Sequence, residues 1–236
     1  MRMEPDATSG MWIVDNIRNI RGFNYTVTSL VPPVFAAYAR VFHPAETLDG
    51  EAVRWADVAA ANGTTAHSAM EWGSIVGSWD APGQPGVWSE GPSLGSLPAL
   101  TARSLAGVLQ TFTQTPDKCH FGYWEGAGYI DVPEHHPCLP MLGRNMVLFS
   151  GGIAHADIQF GETPRFPVGV SAHLWWPEDR AWCVATDTDL MTTYVGGSED
   201  CIAAVLGSDH LEALAAGADQ KVTWDSDTVN PLPPRP

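Results

Sequence analysis

Basic residues are scarce in this chain: two lysines and ten arginines stand against 27 acidic residues in 236 positions, a net charge of −15. A surface of that sign is repelled by phosphate, which argues against nucleic acid and anionic membranes as partners. The deficit is uneven. Residues 1–118 hold 7 basic and 11 acidic residues, net −4, and residues 119–236 hold 5 and 16, net −11. Cysteine is scarce too. Cys119, Cys138, Cys183 and Cys201 form no C-x-x-C pair, which predicts reduced, buried thiols in a cytoplasmic protein. No apolar run approaches the roughly 18 residues of a membrane span. The N-terminus places Glu4 and Asp6 where a secretory signal has bases and an apolar stretch. The chain also lacks G-x-S-x-G, H-E-x-x-H, a phosphate-binding loop and a dinucleotide fingerprint, so the commonest enzyme classes lose their support.

What is present suits a large core. Hydrophobic residues make up 44% of the chain and tryptophan occurs 10 times, enough to fold without disulfides or metal. The expected organisation is a single domain over 12–225 with loose termini at 1–11 and 226–236, the second ending in the Pro-rich run 230–236. Residues 34–42 read as a strand, and 54–61 as a helix stopped by Asn62-Gly63. The Gly/Pro/Ser-rich stretch 77–98 reads as a long loop and the only plausible domain boundary. Ser96 is expected to cap a helix over 98–112, with strands following at 120–124, 145–149 and 153–160.

The clearest local pattern is a hairpin over 168–187. A turn at Pro177-Glu178-Asp179-Arg180 would pair Trp175 with Trp182 and His173 with Val184, all four on one face. A helix capped by Ser198 and ended by Gly207 is expected next, then a short one from Asp209 with Glu212 at capping-box spacing. Strands and helices neither alternate nor segregate fully. The predicted class is therefore α+β, a largely antiparallel sheet with a few packed helices.

Four constellations could carry chemistry. Cys119, His120, His135, His136 and Cys138, with Glu134, have the composition of a zinc site but no standard ligand spacing, and Cys138 also reads as core. His155 and Asp157, two apart on an expected strand, would share a face as metal ligands or as a base with its orienting acid, or would simply be solvated. Gly196-Gly197-Ser198 precedes a helix, but Glu199 and Asp200 would repel an anion there, so a structural cap is the better account. The fourth is the aromatic and acidic set of the C-terminal half: Trp124, Glu125, His173, Trp175, Trp176, Asp179, Arg180, Trp182, Asp187, Asp189 and Tyr194. Such a mixture lines small-molecule pockets and interface hot spots, or forms core and turns.

Trp124-Glu125-Gly126-Ala127-Gly128, Leu174-Trp175-Trp176-Pro177-Glu178-Asp179-Arg180-Ala181-Trp182 and Tyr194-Val195-Gly196-Gly197-Ser198 resemble an uncharacterised actinobacterial protein family, as do residues 37–44 and Arg54-Trp55. The resemblance spans about residues 30–215 and carries no assigned activity or site residue. A fainter similarity is to the SUKH immunity proteins, acidic α+β proteins, again with no motif that transfers a residue. The expected function is an acidic binding protein, immunity-like, that meets a basic protein partner through the aromatic and acidic set. The alternative is a metal-assisted enzyme using His and acid residues of 119–157.

Overall fold

Strict alternation of side chains builds a sheet that is covered on both faces. In the computed structural model, which describes residues 1–18, 25–141, 143–161 and 169–234, the elements run in chain order: β1 (Arg2–Met3), α1 (Met11–Asn16), β2 (Ala37–Phe42), β3 (Ala45–Glu46), β4 (Ala52–Val53), α2 (Trp55–Asn62), α3 (Trp72–Val76), α4 (Ala99–Leu109), β5 (Cys119–Trp124), β6 (Leu139–Met141), β7 (Arg144–Gly151), β8 (Leu174–Pro177), β9 (Cys183–Ala185), β10 (Thr192–Gly197), α5 (Glu199–Leu206) and β11 (Ala213–Ala216). Nine strands form one sheet in the order β1-β7-β5-β8-β9-β10-β2-β11, with β6 also on β7, and every pairing is antiparallel. The α+β expectation holds.

One face carries Phe121, Tyr123, Val147, Trp175, Val184 and Val195 against the buried side of α4 and α5. The other carries Leu148, Leu174, Trp176, Cys183 and Tyr194 against Ile13, Val27 and Val31. A third cluster joins Phe42 to Trp55, Trp72 and Trp88 of α2, α3 and the loop beyond. The stretch 77–98 is therefore no domain boundary: Trp88 is packed into that cluster, and Trp88, Trp72 and Trp55 form a chain of edge-on rings 5.1–5.2 Å apart.

Helix ends are met by residues near and far. α2 ends at Gly63, whose φ of +65° places it in the left-handed conformation that glycine adopts freely. Its first turn is held by Glu212, which accepts the N–H groups of Trp55 at 2.6 Å and Ala56 at 2.8 Å. The predicted second helix from Asp209 is accordingly absent; its capping-box glutamate serves a helix 157 residues away, and 213–216 is a strand. Ser198 caps α5 as expected, accepting the Cys201 N–H. Ser96 does not cap α4: its hydroxyl bonds Ser171, and Pro98 begins the helix. Residues 153–157 form a 3₁₀ turn in place of a strand. Gly196 needs no ligand to explain it, since a Cβ there would stand 2.6 Å from the Phe35 ring.

Residues 2–4, 227 and 230, near the two ends, are held by the fold. Arg2 and Met3 pair with β7, and Glu4 is buried. Asp227 and Asn230 are also buried; Asp227 meets His67 at 2.9 Å and Asn230 accepts the Thr65 N–H at 2.8 Å. Short polar side chains anchor these ends, a signal that composition does not carry.

Candidate functional site

The hairpin keeps its predicted face but shifts its register by two residues. Trp175 pairs with Val184 and Leu174 with Ala185, not Trp175 with Trp182. A slip of two preserves alternation, so Trp175 and Trp182 still meet, edge-on at 5.4 Å. Val168 lies outside the described residues. His173 departs from the prediction. It lines a cavity of about 20 Å³ with Met146, Leu174 and Ala185, on the side opposite the Trp175–Trp182 pair, with room for one water. Its Nδ1 accepts the Trp124 N–H at 3.2 Å, so the neutral ring carries its proton on Nε2. Burial, aided by Arg144, lowers its pKa to about 4. It is a packed core histidine.

The aromatic and acidic set divides into four. Trp175 and Trp182 belong to one core, and Trp176 to the other. Tyr194 is fully buried in that second core beside Arg40, whose guanidinium carbon lies 5.9 Å from its ring. Asp179 and Arg180 sit in the hairpin turn, Asp179 accepting from Thr113 and the Gln114 N–H. Trp124, Glu125, Asp187 and Asp189 do converge, around Arg144. That residue pairs with both aspartates and lies 5.3 Å over the Trp124 ring, while Glu125 accepts from Asn145. Its positive charge is already matched there, and the aromatic surface expected for a partner is largely interior. Arg144 was missed, although it is the only basic residue between Lys118 and Arg165.

Arg40 is a second unexpected charge, nearly fully buried. It donates to the Ser68 and Met70 carbonyls, to Thr192 and to Glu71, and packs against the Phe42 ring at 5.0 Å. Only a planar fork meets all four acceptors at once. Arg40→Lys is expected to cost about 2 kcal/mol in denaturant unfolding, since it keeps the charge and strands the carbonyls. A variant as stable as the parent would show that the fork is dispensable.

The proposed metal ligands do not assemble. Cys119 lies in the core, His120 points to the opposite face, His135 is exposed, and Cys138 bonds Glu125 and the His136 carbonyl. Among the described residues no group of three or more His, Cys, Asp or Glu side chains could hold a metal ion. His155 bonds the Gly152 carbonyl while Asp157 pairs with Arg103, so those two do not act together either. Burial drives the Cys119 thiol up to about 12 and, with Glu125, Cys138 to about 11, the reverse of an activated nucleophile.

His120 is held between two carboxylates: Nδ1 lies 2.6 Å from Glu4 and Nε2 2.7 Å from Glu178, with the ring stacked on Trp176. Ionised carboxylates only accept, so both ring nitrogens donate and the imidazolium is favoured. Burial opposes that charge, but the two carboxylate bonds outweigh it and the pKa rises above 6.5. The stabilisation is complete below pH 6.5 and fades as pH rises through the raised folded-state value. His120→Gln is expected to flatten the urea-midpoint profile in that window; an unchanged slope would refute the assignment.

An open concavity lies elsewhere, between the β3–β4 ribbon, the N-terminus of α4 and the approach to β11. Its volume is about 820 Å³, and Glu46, Glu90, Asp209 and Glu212 line it with one guanidinium, Arg54. Leu100, 73% exposed, adds an apolar wall. Residues 42–54 and 209–212 meet here only through the tertiary structure; acidity was the sole signal in the sequence. No family model, curated protein or solved structure matches this chain.

Proposed function

We propose that this chain is a binding protein for a basic protein partner, and that the groove of Glu46, Glu90 and Asp209 receives it. The carrying observation is the groove itself: four carboxylates and one arginine around an open concavity in a chain of net charge −15. A cationic segment gains attraction on approach, and Leu100 offers apolar contact once it is seated. This reading keeps the expected basic partner and moves its site away from the aromatic set, whose tryptophans fill the two cores.

Capture experiments at low and high salt test it. A basic partner should bind the wild-type protein at low salt and weaken as ionic strength rises. Glu46→Lys with Glu90→Lys should reduce its affinity about tenfold or more, because both exposed charges reverse. Retention of the partner at high salt and by the double variant would overturn the assignment.

A further inference from the structure

Resting on that reading, we infer that the partner binds by adding an extended, basic strand to the open edge of the sheet at β11. Among the described residues, β11 pairs on one side only, with β2. The Phe42 N–H donates to the Glu212 carbonyl at 2.9 Å, which makes 42 and 212 a hydrogen-bonded pair. Continuing the register, Arg40 with Leu214 and Tyr38 with Ala216 are the next bonded pairs. The N–H and C=O groups of Ala213 and Ala215 therefore point away from β2, and no described residue bonds them.

Natural sheet edges are guarded by lysine, proline, a bulge or a covering element. Ala213-Leu214-Ala215-Ala216 has no such residue. It also connects two concavities. The acidic groove includes Asp209 and Glu212 at its start, and a second cavity of about 570 Å³, lined by Ala215, Ala216, Phe35, Ile202 and Glu199, lies at its end. A strand added here finds backbone partners at alternate residues, small apolar surface beneath it and carboxylates at both ends. Charge decides the occupant: a second copy would bring another −15, whereas a basic segment complements both ends.

The test uses the full-length protein and a short peptide alternating lysine and valine. Tight, salt-sensitive binding is expected to weaken about tenfold or more when the peptide is N-methylated along its length or when the protein carries Ala215→Pro. Ala215 is exposed and its N–H serves no internal bond, so proline is expected to spare the fold. The methylated peptide gives the same readout without altering the protein. Equal binding of both peptides would overturn strand addition while leaving the acidic groove in place. Self-association without peptide, abolished by Ala215→Pro, would assign the edge to a second copy instead. Failure of every basic probe at low salt would remove the underlying reading.

Discussion

Unfolding free energy is expected to fall steeply as pH drops from 6.5 toward 4. Two buried histidines carry this loss. His43 is completely enclosed; its Nδ1–H donates to the Ser93 carbonyl at 2.7 Å and its Nε2 accepts from Thr193 at 2.9 Å. Neither site leaves room for a second proton, and burial, with Arg40 nearby, lowers its pKa from 6.5 to about 4. His173 is lowered equally far. In the unfolded chain both rings protonate near 6.5, while in the folded state they stay neutral until about 4. The unfolded state thus binds more protons across that window, and stability declines as pH falls through it. Each ring contributes about 3 kcal/mol, so together they are a large part of a typical domain's stability.

Glu212, held above 4.5 by burial, works weakly in the opposite direction near the acid end. Asp227, kept below 3.8 by its Asn230 and backbone hydrogen bonds despite burial, adds a further loss only at lower pH. Denaturant unfolding at a series of pH values checks the prediction. His43→Gln and His173→Gln should each lower stability at neutral pH yet reduce the acid-limb slope by about one proton. Parental slopes in both variants would mean the rings are not the titrating groups. With His120 acting above 6.5, the stability maximum is expected close to that pH.

Trp182→Ala is expected to destabilise the fold by about 3–5 kcal/mol, as large core truncations do. The side chain has no exposed surface, packs edge-on against Trp175, and donates its indole N–H to the Leu109 carbonyl at 3.0 Å. That bond ties the hairpin to the last turn of α4, where carbonyls lack helical partners. Alanine removes the ring, opens a cavity between sheet and helix, and orphans the carbonyl. Trp182→Phe separates the two causes: it retains most of the packing and should cost about 1–2 kcal/mol for the lost hydrogen bond. A Trp182→Ala protein whose denaturation midpoint equals the parent's would place the residue outside the core.

Much of the fold was legible because its signals are local. The meeting of Trp175 and Trp182 survived a two-residue register error because side-chain direction repeats every second residue, whereas His173, just before β8, turned to the other side. Residues 153–160 misled for the same reason: an alternating pattern in a 3₁₀ turn looks like a strand over so few positions. The aromatic set misled because alternation separates Trp175 from Trp176 without saying whether either face meets water. Here both faces are covered.

By itself the sequence determined the α+β class, the strands β2, β5, β7, β8 and β9, the Ser198 cap, the strong negative charge and, among the described residues, the absence of a helix able to cross a membrane. These follow from composition and short periodicities, which act within a few residues. Only the tertiary structure decided which polar groups meet. Glu4 reaches His120 across 116 positions and Glu212 reaches Trp55 across 157. Asp209 and Glu46 line one groove, and β11 is left as an edge among the described residues. Those outcomes depend on strand order and on the coverage of both sheet faces, set by the packing energy of the whole chain and by no local pattern.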